Sequence, residues 1–152
     1  MMRNKKIGLI IGSLILIFIS YNYLFSVDSE IPDTFANKRF FKKTFETGII
    51  TPDVKNIYCY FDNIGIDFSK ELSFECSSAT FDMITKKFNL QSLNKYFTNG
   101  FGSYLYKRNK QEIDNIIPYS DKEGMYSSSY HSIWYNSKNN HAYFLLSSYN
   151  IK

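Results

Sequence analysis

The polar and apolar positions divide the chain into one long apolar run and a series of short segments with helical or alternating periodicity. Residues 7–25, from Ile7 to Phe25, carry no charge, and only two serines and one asparagine break a run of Ile, Leu, Phe, Gly and Tyr. As a helix this run is about 28 Å long, close to the ~30 Å hydrocarbon thickness of a bilayer. It has no polar face, which a core helix of a small domain needs, so the pattern predicts a transmembrane anchor. Arg3, Lys5 and Lys6 precede it, and Asp28, Glu30 and Asp33 follow. The positive-inside rule then puts residues 1–6 in the cytoplasm as a short tip and everything after the anchor outside. A cleaved signal peptide shares the basic start and the apolar run. Here, however, the run is longer than the usual apolar region of a signal, its exit is bulky at Tyr21, Tyr23, Leu24 and Phe25, and no cysteine follows for lipid attachment. The anchor is therefore read as retained.

Residues 26–33 read as a short polar linker and residues 34–152 as one exported globular domain. Asp33 is a candidate cap for a helix running to about Glu46, with Phe35, Phe40, Phe41 and Phe45 apolar and Lys38, Arg39, Lys42 and Lys43 charged. Its basic face is read as solvated while the phenylalanines pack a core. The alternative for a basic amphipathic helix just beyond an anchor is a seat on anionic lipid headgroups. Residues 55–61 and 71–76 read as two antiparallel strands about a turn at Asp62, Asn63 and Gly65. Ser78 caps a second short helix with Phe81, Ile84 and Phe88 at helical spacing, its apolar face extended by Leu90 and Leu93. Residues 94–130 read as loop-rich, with a brief ordered piece at Ile113, Ile116, Ile117 and Pro118; loops of this kind are where function concentrates. Residues 132–135 and 142–147, joined through an Asn-rich turn at 136–140, form a hairpin. Two β-hairpins and two short helices make a small α+β domain behind the N-terminal transmembrane helix.

The net charge of +4 suggests nucleic acid only until the tip is set aside, because Arg3, Lys5 and Lys6 supply three of the four charges. A domain this close to neutral has no nucleic-acid footprint. Aromatic residues make up 18% of the chain, 13 of them Tyr and 14 Phe, which favours a Phe core edged by Tyr, with an aromatic recognition surface as the alternative. Tyr104, Tyr106, Tyr119, Tyr126 and Tyr130, all in the loop-rich stretch, are the candidate partner-binding residues. Cys59 and Cys76 are the only cysteines and fall in the exported part, where thiols are oxidised. Strands pairing about a centre between residues 67 and 68 place the two opposite each other, so a structural disulfide is expected. Closing that loop is worth on the order of 3 kcal/mol.

His131 and His141 bracket the C-terminal hairpin. With Asn136 opposite His141, His131 falls opposite Leu146, which leaves the two rings roughly 17 Å apart, too far to share a metal. No Gly-x-Ser-x-Gly elbow surrounds any serine. Gly100-Phe-Gly102 lacks the third glycine of a nucleotide loop, and Asp62-Asn-Ile-Gly-Ile-Asp67 lacks the closing glutamate of a calcium loop. No catalytic residue, cofactor or metal is expected.

The stretches Thr51-Pro-Asp-Val-Lys-Asn-Ile57, Asp62-Asn-Ile-Gly-Ile-Asp67, Leu72-Ser-Phe-Glu-Cys76 and Trp134-Tyr-Asn-Ser-Lys-Asn-Asn-His-Ala-Tyr-Phe144 resemble small membrane-anchored bacterial envelope proteins of uncharacterised function. The resemblance covers about residues 48–148. Its pieces are strand starts and hairpins, so it transfers no active site. It implies a bacterial, non-enzymatic protein, which with the charge rule places the N-terminus in the cytoplasm, the anchor in the inner membrane and the domain in the periplasm or outside the cell. The expected function is a protein-binding module of the envelope, in its concrete form an immunity protein that neutralises an envelope-acting toxin. Two alternatives stand beside it. One is an accessory subunit of an inner-membrane complex, contacting its partner through the Gly8 and Gly12 spacing. The other is an envelope hydrolase whose site has no local signature.

Overall fold

Six antiparallel strands and four helices are formed by residues 2–45, 52–64, 67–93, 104–121 and 130–148, the parts of the chain that the computed structural model describes. In chain order they are α1 (Met2–Phe25), α2 (Phe35–Phe45), β1 (Lys55–Ile64), β2 (Asp67–Glu75), α3 (Ser78–Lys87), β3 (Gln91–Ser92), α4 (Tyr104–Ile113), β4 (Tyr119–Ser120), β5 (Tyr130–Asn136) and β6 (His141–Ser147). The strands make one sheet in the order β1-β2-β6-β5-β4-β3. The α+β class is the expected one, and the two hairpins join edge to edge because β2 pairs with β6 from Ser69–Ser147 to Glu75–His141.

The 24 residues of α1 span about 36 Å. Its large apolar side chains from Ile7 to Tyr21 are exposed on every side, from 49% at Ile7 to 74% at Leu9, and beyond the helix's own neighbouring backbone a side chain at Gly8 or Gly12 would meet open space. Side chains of α1 are described without a break only from Ile7 to Tyr21. Among the described residues no helix is long and apolar enough to cross a membrane.

One face of the sheet carries Ile57, Cys59, Leu72, Phe74, Ile133 and Phe144 under α2 and α3. Phe45 sits at its centre, fully buried, with the rings of Phe41, Phe74, Phe88 and Phe144 at centroid distances of 4.6, 5.8, 5.9 and 4.7 Å. On the opposite face Trp134, Tyr143 and Leu145 pack with Ile113 of α4.

Short polar side chains set the element ends. Thr34, not Asp33, caps α2: its Oγ1 accepts the Asn37 amide at 3.1 Å. Asp33 turns in the left-handed region (φ 58°) and accepts the amides of Asn56 and Ile57. Ser77, one residue before the expected Ser78, caps α3, and the Asp53 carboxylate accepts the Ser77 amide at 2.7 Å. All four described non-glycine residues with positive φ are Asp or Asn, namely Asp33, Asn56, Asn89 and Asn140; these side chains tolerate that conformation best.

The segment 26–33 is bound to the domain rather than loose. Asp28 O accepts the Cys59 amide and Asp33 N donates to Ile57 O, both at 3.0 Å. The segment thereby covers the outer edge of β1, an edge that would otherwise invite strand pairing. Asn37, fully buried, locks it in place. Its Nδ2 donates to the carbonyls of Asp28, Ile31 and Ile57 at 2.9, 3.0 and 2.9 Å, and its Oδ1 accepts the Asp28 amide at 2.8 Å.

Three expectations are corrected. Strands β1 and β2 run on to Ile64 and Asp67, so Asp62 and Asn63 pair with Ser69 and Phe68 instead of forming the turn. Cys59 consequently faces Leu72, with Cys76 four positions further along, and both cysteines are free and buried rather than bridged. Part of the stretch expected to be loop-rich is ordered as α4 and β4; residues 94–103 and 122–129 lie outside the described residues. The C-terminal hairpin has the expected register, Asn136 opposite His141 and His131 opposite Leu146.

Burial pushes the Cys76 thiol up to about 12, with the Asp53 charge adding to it, and burial likewise raises Cys59. The thiolate is the reactive form. Without reductant, the native chain is therefore expected to give no rapid reaction with a thiol-titrating disulfide reagent, and the denatured chain to give two equivalents. Silence in both states would mean a bridge.

Candidate functional site

Helix α4 lies on the sheet face opposite the main core and is tied down by a glutamate at each end. Glu71, 2% exposed in β2, accepts the amide of Tyr104, the first residue of α4, at 3.2 Å. A carboxylate there suits the positive end of the helix dipole. Near the other end Glu112 accepts from Asn136 Nδ2 (2.7 Å), Asn139 Nδ2 (2.9 Å) and Tyr143 OH (2.8 Å). Burial pushes the Glu112 carboxyl up, but these three donors outweigh it and hold the group below its ordinary value.

Beneath α4 opens a cavity of about 210 Å³ lined by Ser29, Tyr58, Ser73, Arg108, Asn109 and His141. The helix departs from helical geometry at Asn109 (φ −113°, ψ 20°), one of the lining residues. Close to it the Tyr104 ring stacks on Tyr60 at 4.9 Å and 15°. Tyr104 OH donates to Glu30 Oε1 at 2.6 Å, and Arg108 bonds Glu30 Oε1 and Ser29 O, each at 2.9 Å. The exit segment of α1 and helix α4 thus hold each other.

Inside the cavity Ser73 Oγ lies 2.6 Å from His141 Nε2. Burial lowers the His141 pKa against the opposing charges of Glu112 and Glu75. The ring is therefore neutral at pH 7 and able to accept the serine proton, the relation of a nucleophile to its base. Two features set it apart from a complete hydrolytic site. Ser73 is only 4% exposed, and among the described residues no carboxylate bonds the other ring nitrogen of His141.

Because the folded state disfavours the charged ring, the contribution of His141 to stability is full above the unfolded value near 6.5 and is lost as the pH falls through it. Urea midpoints between pH 7 and 5 are expected to fall less in His141→Gln than in the wild type.

His131 lies on the other face of the sheet, with Nδ1 2.7 Å from Asp121 Oδ2 and its ring stacked on Phe88. Among the described residues no cluster of three metal-ligating side chains occurs.

The five tyrosines singled out from the sequence are not gathered on one surface. Tyr104 lies beside the cavity, whereas Tyr119 packs edge-on against Phe81 at 5.1 Å beneath the main core. Tyr106 and Tyr130 are placed in α4 and β5 by backbone alone, their side chains lying outside the described part, and Tyr126 lies outside the described residues. The structure instead brings together Tyr58, Tyr60, Tyr104 and Arg108. Period-two alternation through β1 already turns Tyr58 and Tyr60 away from the side of Ile57 and Cys59, but only the docking of α4 shows what they meet. No family model, curated protein or solved structure matches the chain.

Proposed function

We propose that the chain is a membrane-anchored extracytoplasmic protein-binding module, with α1 as a retained anchor and the Tyr58, Tyr60, Tyr104 and Arg108 face as the seat of a protein partner. The observation that carries this reading is α1. Eleven large apolar side chains between Ile7 and Tyr21 stand in the open around the whole helix, each disfavoured in water by on the order of 1.5–3 kcal/mol. A bilayer supplies the apolar surroundings they lack, and the charge difference across residues 7–25 orients the domain outward. Tyr and Arg are the side chains that most often dominate protein interfaces. Here Glu30 holds Tyr104 and Arg108 in place before any partner arrives, which lowers the cost of ordering them. An inhibitor needs a rigid recognition face kept near its site of action, so the concrete form is an immunity protein against a toxin acting in the envelope.

Affinity capture of the full chain from its native cells in mild detergent tests the reading. The wild type is expected to retain one stoichiometric exported protein and Tyr60→Ala/Arg108→Ala to lose it, with affinity lower by on the order of 100-fold. A wild type without a partner, or a double variant that keeps it, contradicts the proposal. A second reading, an envelope hydrolase, is favoured by the Ser73–His141 contact alone. Labelling of Ser73 by a fluorophosphonate, abolished in His141→Gln, would select it.

A further inference from the structure

The geometry points to a second binding surface: the exposed face of α2 is a seat for anionic phospholipid headgroups, which holds the domain down on the bilayer. This rests on α1 being the anchor. At 100° per residue, Phe35, Lys38, Arg39, Lys42 and Lys43 fall on one contiguous arc of about 140°. All five are exposed, while Ala36, Asn37, Phe41 and Phe45 take the buried side. Among the described residues none of the four cations pairs with a carboxylate. Phe35, 53% exposed, sits at the middle of the arc between the cations.

The position of the arc names the occupant. Arg39 lies over the ring of Phe25, 5.6 Å from its centroid, and Phe25 is the last residue of α1. The cations therefore begin where the anchor ends, at headgroup level. An open hollow of about 640 Å³ lies there, lined by Phe25, Phe40 and Phe61 together with Arg39 and Lys43. Rings beside cations match the glycerol and phosphate of a lipid.

The acids at the exit bond to the domain and not to these cations. Asp28 accepts the amides of Glu30 and Ile31, Glu30 holds Arg108 and Tyr104, and Asp33 holds the amides of Asn56 and Ile57. The Asn37 bonds fix the start of α2 against the segment leaving α1, so the arc is held next to the anchor rather than swinging on a tether.

The test uses the full chain in lipid nanodiscs of phosphatidylcholine, with or without about a quarter of phosphatidylglycerol. A nitroxide is placed on Phe35→Cys; Cys59 and Cys76 are buried. Collision of the label with a water-soluble nickel chelate is expected to be about fivefold lower in the anionic discs, and K38Q/R39Q/K42Q/K43Q should erase the difference. Equal collision rates in the two discs, with the chain co-eluting with them, overturn the lipid seat and leave the anchor standing. A chain that elutes apart from the discs overturns the anchor and the lipid seat with it.

Discussion

Asn37→Ala is expected to destabilise the domain by about 3 kcal/mol, among the larger losses a single substitution produces. One fully buried side chain serves four backbone groups, the carbonyls of Asp28, Ile31 and Ile57 and the amide of Asp28. Each unpaired buried group costs about 1–3 kcal/mol. Ile31 is exposed, and the Asp28 and Ile57 carbonyls keep the Cys59 and Asp33 amides, so the total stays well below four full penalties. Asn37→Asp keeps the acceptor but loses the two N–H donors that the three carbonyls share and is expected to be at least as damaging. Denaturant unfolding, followed by the fluorescence of the single tryptophan, Trp134, reads the midpoint. A loss below about 0.5 kcal/mol would mean that the exit segment is not held by this residue.

The double variant Leu14→Arg/Ile17→Arg is expected to release the chain from the membrane fraction. Both residues sit near the middle of the apolar run, where each arginine costs about 2.5–3.5 kcal/mol of insertion free energy. The pair lowers insertion by roughly 6 kcal/mol, enough to move the chain from the alkaline-carbonate pellet to the supernatant. Leu14 and Ile17, 60% and 64% exposed, stand free of the sheet and its core, so the unfolding midpoint of the domain is expected to stay unchanged. That combination separates an anchor from a helix that merely packs on another soluble protein, because a packing helix would leave the fractionation of the wild type and the variant alike.

What was legible in the sequence followed hydrophobic period and turn chemistry. The β5–β6 register was readable because an Asn-rich turn sits between two alternating runs, and Asn136 opposite His141 fixes every later pair. The β1–β2 register was not, because Asp62 and Asn63 look like turn residues yet lie in the exposed end of a long hairpin. That displacement put Leu72 where Cys76 was expected. Helix α4 was missed because its sequence, YLYKRNKQEI, is mostly polar, is interrupted at Asn109, and depends on Glu71 and the β5–β6 turn, far away in the chain. The cluster of Tyr58, Tyr60, Tyr104 and Arg108 was hidden for the same reason, since Tyr58 and Tyr60 carry the pattern of an ordinary strand until α4 and Glu30 reach them. The segment after α1 read as a linker because its bonds run from polar side chains to backbone, and hydropathy is blind to those.

The most direct measurement of the central claim is protease shaving of intact spheroplasts that carry the wild-type chain with a C-terminal tag, followed by alkaline-carbonate extraction. The anchored, exported arrangement predicts that external protease removes the tag without lysis and that the untreated chain stays in the carbonate pellet. A tag that is cut only after lysis, or a chain recovered in the carbonate supernatant, would contradict it.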